Sequence, residues 1–311
     1  MLQTPVLLLV FNRPHLAMQV FEQIRLQQPA QLFIAADGPR PRKAGEHALC
    51  KQTREQLLAG IDWPCEVHTL FRPANMGCGK AVSAALDWFF HQVEEGIILE
   101  DDCLPDQTFF TFCEAMLHRY RHHETVMHIN GSNFQAGAQR GEGSYYCSRF
   151  SHVWGWASWR RAWRQYDYSL RIYRDAPRKG LNARLRYELR AINHKTTDTW
   201  DVQWFMTVWF NQGWAITPNV CLIKNIGYGK DATHTRRVHR WFHKIVYGKI
   251  SSITHPAKLA VDTAADRYSL QTLFPSNLLV ISIKRIVKKN TLLYSLCKRI
   301  TQIAVIIMIC N

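Results

Sequence analysis

Residues 5–39 read PVLLLVFNRPHLAMQVFEQIRLQQPAQLFIAADGP, and the fold class follows from this stretch. The apolar run Pro5-Val-Leu-Leu-Leu-Val-Phe11 is stopped by Asn12-Arg13-Pro14. Leu16, Val20, Phe21 and Ile24 then recur at helical spacing, and Gln31-Leu-Phe-Ile-Ala-Ala36 ends in Asp37-Gly38-Pro39. An unbroken apolar run bounded by turn residues is the mark of a strand buried on both faces, so the segment predicts strand, helix, strand. Its first run has neither a basic leader nor a small-residue cleavage site, so it is expected to be a strand and not a secretion signal.

The alternation continues with a helical stretch at 44–60, a strand at 65–71, a helix at 79–93, a strand at 96–99, a helix at 109–121 and a short strand at 126–130. Such an order predicts an α/β fold with a mostly parallel sheet, whose ligand sites lie outside the carboxyl ends of the strands. The polar residues that follow the strands thereby become candidates: Asn12 and Arg13, Asp37, Arg72 with Asn75, and Glu100, Asp101 and Asp102. Beyond a Gly-rich loop through Gly143 the chain turns rich in tryptophan and arginine. Helices are predicted at 183–193 and 202–211 and a strand at 220–223. With no linker and no internal repeat, residues 1–250 are expected to be one catalytic unit of two lobes, 1–130 and 131–250, with 251–311 a basic, partly apolar extension.

The composition of 311 residues, 47% hydrophobic and 20% charged, excludes a disordered or collagen-like chain. Lys and Arg number 39 against 24 Asp and Glu, a net charge of +15, which calls for an anionic partner: nucleic acid, an acidic lipid surface or phosphate groups. Six of the basic residues, Lys284, Arg285, Lys288, Lys289, Lys298 and Arg299, fall in residues 277–311, which contain no acid and end in Ile303-Ala-Val-Ile-Ile-Met-Ile309. That run is shorter than the about 20 residues needed to span a bilayer. A tail of this kind is expected to dock on an anionic membrane surface. Nine cysteines without a CxxC pair are expected to be reduced thiols in the cytoplasm.

Chemistry concentrates at Ile97-Ile-Leu-Glu-Asp-Asp-Cys103, an apolar strand ending in three carboxylates. Adjacent like charges are costly unless a cation offsets them, and oxygen ligands suit Mg²⁺ or Mn²⁺, which bridge to a diphosphate. The competing reading is a solvated acidic turn. Elsewhere, Asp198-Thr-Trp-Asp-Val-Gln-Trp204 offers Asp201, with Asp198 in reserve, as a general base at a helix start, or as no more than an N-cap. In Asn225-Ile-Gly-Tyr-Gly-Lys-Asp-Ala-Thr-His-Thr235, Gly227 and Gly229 permit a closing lid, while Lys230 or Arg236 faces phosphate. His234 by itself reads as a surface or hydrogen-bonding histidine. In Val153-Trp-Gly-Trp-Ala-Ser-Trp-Arg-Arg-Ala-Trp163, the four tryptophans recur at helix-like spacing, which suits either stacking on a ligand ring or core packing, and Trp159 and Trp163 are expected in the core. Asn130-Gly131-Ser132, at a strand end, is expected to line the site.

These motifs, in order from Pro5 to about Thr235, resemble N-acetylglucosaminyltransferase I and related GT-A glycosyltransferases, in which a strand ending Glu-Asp-Asp precedes a helix start like Pro105-Asp-Gln-Thr-Phe-Phe110. The similarity is nearest to a bacterial branch of sugar transferases sharing Leu-Leu-Val-Phe-Asn-Arg-Pro and Gly-Trp-Ala-Ser-Trp-Arg stretches. The resemblance implies that Asp102 binds the divalent metal, with His234 where some of these enzymes supply a second ligand, that Glu100 and Asp101 hold donor sugar and ribose, that Arg13 lies near the nucleotide, that Asp37 accepts a hydrogen bond from uracil, and that Trp156 contacts the acceptor or donor sugar. It implies Asp201 as the base of an inverting transfer from a nucleotide-diphosphate sugar, UDP-linked by expectation, to a glycan or lipid-linked acceptor in bacterial cell-surface polysaccharide assembly. The family's base-side histidine would fall near Asn75, where this chain has none. The alternative from another class is a non-enzymatic nucleic-acid binder using the Arg/Trp-rich half, with a metal-dependent nuclease between the two. The acidic rim weighs against a polyanion, so no nucleic-acid partner is expected.

Overall fold

The computed structural model describes residues 1–194, 197–228 and 239–276. In chain order these form β1 (Val6–Val10), α1 (Pro14–Gln27), β2 (Gln31–Ala36), α2 (Glu46–Ala59), β3 (Glu66–Phe71), α3 (Cys78–Gln92) and β4 (Glu95–Glu100). There follow β5 (Cys103–Pro105), α4 (Gln107–Tyr120), β6 (Val126–Asn130), β7 (Tyr145–Ser148), β8 (Trp156–Trp159), α5 (Arg160–Trp163), α6 (Ala183–Asn193) and α7 (Asp201–Phe210). The last are β9 (Trp214–Pro218), β10 (Ile223–Asn225) and α8 (Thr263–Thr272).

Eight strands share one sheet in the order β3-β2-β1-β4-β8-β6-β9-β7, and β10 pairs with β5 in a separate ribbon. The neighbours β3, β2, β1 and β4 are parallel, as the alternating pattern requires. β8 runs antiparallel between β4 and β6, β9 lies parallel to β6, and β7 closes the edge antiparallel to β9. Six of the eight strands thus point one way, in a mixed α/β fold with helices on the sheet.

Alternate side chains of the central strands feed two cores. Val6, Leu8, Ile34, Ile97 and Leu99 pack with Phe21 of α1 and Phe109 and Phe112 of α4. Leu7, Leu9, Phe33 and Ile98 pack with Phe89 of α3 and Trp204 of α7. Burial on both faces is the reason these strands are continuous apolar runs and not alternating ones. Helix starts are set locally: Pro14 occupies the first turn of α1, and Asp106 caps α4 by accepting from Thr108 N at 2.8 Å.

The tryptophan stretch departs from expectation. Residues Trp156–Trp159 form a strand, not a helical stripe, because both edges of β8 find partners, in β4 and β6. Trp156 is fully buried against Trp200 and Trp204, at 5.8 and 5.7 Å between ring centroids. Instead of touching a ligand, it supports the start of α7. Trp159 and Trp163 lie in the core, as expected. Asp262 N donates to Cys147 O at 2.8 Å, Ser148 Oγ to Asp266 at 2.6 Å, and Gln135 Nε2 to Ser269 Oγ at 2.9 Å, joining 251–276 to the β7 edge. Among the described residues no helix is long and apolar enough to cross a membrane. The basic tail lies outside the described residues, as do Gly229, Lys230, His234 and Arg236.

Candidate active site

A cavity of about 830 Å³ opens at the carboxyl ends of β1, β2 and β4. Of the residues singled out in the sequence, Arg13, Asp37, Arg72, Asn75, Glu100, Asp101, Asp102, Asp198, Asp201 and Gly227 line it. Parallel strands carry their C-terminal residues to one rim, so positions far apart in sequence converge here.

At the centre is Arg13. Its Nε donates to Asp101 Oδ2 at 3.2 Å, and its Nη2 reaches both Asp101 and Asp102 Oδ2, the latter at 3.0 Å. Burial opposes the guanidinium charge, but the two aspartates outweigh it and raise the Arg13 pKa above the arginine range. Burial pushes the Asp101 carboxyl up to about 6 even though Arg13 pulls it down. For Glu100, burial first and then Asp102 and Asp101 raise the pKa well above the usual carboxylate value. The acidic triplet that seemed to require a metal is therefore offset by the chain's own arginine and by the reluctance of buried Glu100 to ionise. The like-charge argument for a metal loses its force.

The rim beside this centre is tied together by hydrogen bonds. Asp37 accepts from Gly38 N at 2.8 Å, Asn75 Nδ2 at 2.8 Å and Met76 N at 3.0 Å, locking the end of β2 to the loop before α3. Gly77 has φ +83°, and a Cβ there would stand 2.7 Å from Asp198 Oδ2. Asp198 accepts from Gly79 N at 3.0 Å, which places an anion at the N-terminus of α3, where the helix dipole favours it. Asp198 is thus committed to a helix other than its neighbour α7. Asp201, in the first turn of α7, accepts from Thr199 Oγ1. It lines the same cavity as the acidic turn, and its charge helps raise both Glu100 and Cys78. The Cys78 thiol, between these groups, is pushed up to about 12 by burial, then Glu100, Asp201 and Asp198.

Asn12 is engaged elsewhere. Its Nδ2 donates to Glu46 Oε1 at 3.0 Å, and Arg40 closes on the same carboxylate. Glu46 is 1% exposed, and a buried carboxylate needs several donors, so Asn12 anchors α2. Asn130, expected to line the site, is fully buried and donates to Phe150 O at 3.0 Å and Thr217 Oγ1 at 2.7 Å.

The β10–β5 ribbon brings the start of the expected lid onto the acidic turn. Ile226 N donates to Asp102 O at 2.8 Å, and a Cβ at Gly227 would overlap the Asp102 carboxylate. Only glycine allows this approach, a tighter constraint than hinge freedom. Residues the sequence did not flag also line the cavity: Trp154, just before β8, and the Arg184–Glu188 pair one helical turn apart on α6. The i,i+4 charge spacing of that pair was visible in the sequence; nothing there placed it beside Asp201.

Asp102, the carboxylate expected to hold a metal, lines the cavity, and among the described residues no group of three or more His, Cys, Asp or Glu side chains is arranged to hold one. Mg²⁺ is often held by one or two carboxylates together with substrate phosphates. The donor set fits a hard ion held jointly by Asp102 and a bound diphosphate, and does not fit an ion caged by protein alone.

No protein-family model matches the chain, and no curated protein matches it in sequence. Among solved structures it is similar to HddC from Yersinia pseudotuberculosis at 11% identity over 51% of this chain and 78% of that one, with a TM-score of 0.31. It is similar to a cytidylyltransferase from Leptospira borgpetersenii at 9% identity over 52% and 63%, TM-score 0.31. A third is apo-UDP-glucose pyrophosphorylase, at 7% identity over 70% and 90%, TM-score 0.32. At this similarity neither a fold family nor a chemistry transfers from them.

Proposed function

We propose that the chain is an inverting glycosyltransferase of the GT-A fold, moving a sugar from a nucleotide-diphosphate donor to a hydroxyl of a glycan or lipid-linked saccharide. The observation that carries this reading is the cavity itself: ends of β1, β2 and β4 bearing Arg13, Asp37, Asp101 and Asp102 face Asp201 at the start of α7. In the reaction the acceptor oxygen forms its bond to the anomeric carbon as Asp201 takes the hydroxyl proton, and the bond to the diphosphate breaks, the diphosphate leaving with the electron pair. Arg13 and Arg72 lie in the same cavity and offset the charge that develops on the leaving group. A divalent ion shared between Asp102 and the diphosphate would supply further charge. A carboxylate has about four acceptor sites; three donors occupy Asp37, which is compatible with one more hydrogen bond from a uracil N–H.

The finer elements extend this reading beyond the described residues: Gly229 as lid hinge, Lys230 at phosphate, His234 as a second metal ligand, and the tail as an anchor at the cytoplasmic membrane face for surface-polysaccharide assembly. The test is a panel of nucleotide sugars with Mn²⁺, followed by thermal shift and donor hydrolysis. A ligand at a hundred times its Kd adds about 2.7 kcal/mol, or roughly 4 °C for a chain of 311 residues. A panel in which no nucleotide sugar shifts the melting temperature or is hydrolysed overturns the proposal.

A further inference from the structure

A second cavity, of about 250 Å³, adjoins the first. The two share Val153, Trp154, Asp201, Val202 and Phe274 in their walls, so the proposed base stands where they meet. Aromatic rings dominate the second cavity. Phe134 lies 5.0 Å from both Trp154 and Trp241 between ring centroids, and Trp154 lies 5.9 Å from Trp241. One polar atom in this wall is unaccounted for. Ser151 is 8% exposed, lines the cavity, and its buried Oγ has no hydrogen-bond partner among the described residues. Leaving a buried hydroxyl unpaired costs about 1–3 kcal/mol, so such an atom in a native fold calls for a ligand or a water. Its position is held on both sides by Asn130, which donates to Phe150 O at 3.0 Å and accepts from His152 N at 2.6 Å.

Resting on the glycosyltransferase reading, we propose that this cavity is the acceptor subsite and binds a single pyranose ring. The ring lies on Trp154 and Trp241, with one hydroxyl hydrogen-bonded to Ser151 and the reacting hydroxyl turned to Asp201. A pyranose presents weakly positive C–H bonds on its face and hydroxyls at its rim. The former meet the negative faces of the indoles, the latter Ser151 and Asp201. The volume is below the roughly 300–1,000 Å³ of sites for drug-sized ligands, which limits it to one ring, the rest of the acceptor remaining outside. An isoprenoid or acyl chain would fill the aromatic wall but leave Ser151 unpaired and Asp201 against hydrocarbon, so the sugar is the occupant the cavity selects.

The test titrates the full chain with methyl pyranosides of several configurations, read by tryptophan fluorescence and saturation-transfer NMR, alongside separate titrations with UDP, GDP and CDP. At least one pyranoside is expected to bind. Trp241→Ala should weaken it tenfold or more, Ser151→Ala about fivefold, and Trp241→Phe should restore most of the affinity. Nucleotide affinity should be the same in all three variants, which also reports that they fold. If a nucleotide binds and no pyranoside does, or pyranoside binding is indifferent to both alanine variants, the subsite is refuted while the nucleotide reading stands. Variant-sensitive pyranoside binding without any nucleotide binding supports the sugar site and overturns the glycosyltransferase reading. Trp241-dependent binding of farnesyl phosphate in the absence of pyranoside binding refutes the sugar as occupant.

Discussion

Arg13→Met removes the charge at the centre of the cavity while keeping an unbranched apolar stem. The side chains involved are largely shielded, with exposures of 15% for Arg13, 5% for Asp101 and 17% for Asp102. Removing one partner of a buried ion pair costs about 3–5 kcal/mol, because the other charge is left uncompensated. Here that cost depends on whether Asp101 is ionised. Burial already raises its pKa from 3.8 to about 6, with Arg13 opposing the rise; without Arg13 it rises further. Between the unfolded and folded pKa values the folded variant binds more protons than the unfolded chain, so its stability falls as pH increases through that window. The variant should lose about 3–5 kcal/mol relative to the parent at pH 8 and about 1 kcal/mol at pH 5, where Asp101 is mostly protonated in both. Urea unfolding followed by tryptophan fluorescence at pH 5, 6, 7 and 8 measures it. A loss of equal size at every pH would show that Arg13 contributes packing alone, and would remove it as the counter-charge of the acidic turn.

Asp201→Asn should leave nucleotide-sugar affinity within twofold and reduce transfer by about 10²–10⁴-fold; a parallel loss of donor affinity in a calorimetric titration would contradict its role as base. Gly227→Ala forces a Cβ onto the Asp102 carboxylate and should abolish metal-dependent nucleotide binding with the sheet intact by circular dichroism, whereas normal binding would refute the close approach. His128 is fully buried, takes a hydrogen bond from Trp204 Nε1 at 3.0 Å on Nδ1, and is lowered by burial from 6.5 to about 4. Its neutral form belongs to the fold, so its contribution is complete above pH 6.5 and is lost as pH falls toward 4, about 3 kcal/mol in all. His128→Gln should flatten the acid limb of a stability–pH curve, and an unchanged limb would assign that limb to other groups.

The first four strands and their helices were legible because a strand buried on both faces by crossover helices has no polar positions to interrupt it. Val6–Val10 and Ile97-Ile-Leu99 announce themselves. In the second half of the sheet only β6 was, as the short strand at 126–130. β7 and β8 are four residues each, and β8 consists of Trp-Ala-Ser-Trp, which local spacing cannot distinguish from a helix face. Its insertion between β4 and β6 is a long-range pairing, and that pairing sends Trp156 inward and brings Trp154 to the cavity. Glu46 was overlooked for a similar reason: one acid at the start of an ordinary surface helix carries no sign that Asn12 and Arg40 will enclose it.

By itself the sequence determined the alternation of strands and helices, and through it the rim where polar residues gather, since periodic burial and turn residues are local properties. It also marked Asp102 and Asp201, each beside a recognisable element boundary. What each charge does there was decided only by tertiary structure. Arg13 and Asp101 are 88 positions apart, and Asp198 reaches a helix that begins 120 residues earlier. Coulombic partnership and desolvation depend on distance and burial in space, which a linear pattern does not encode. The acidic turn that looked like an appeal for a metal proved to hold its own cation.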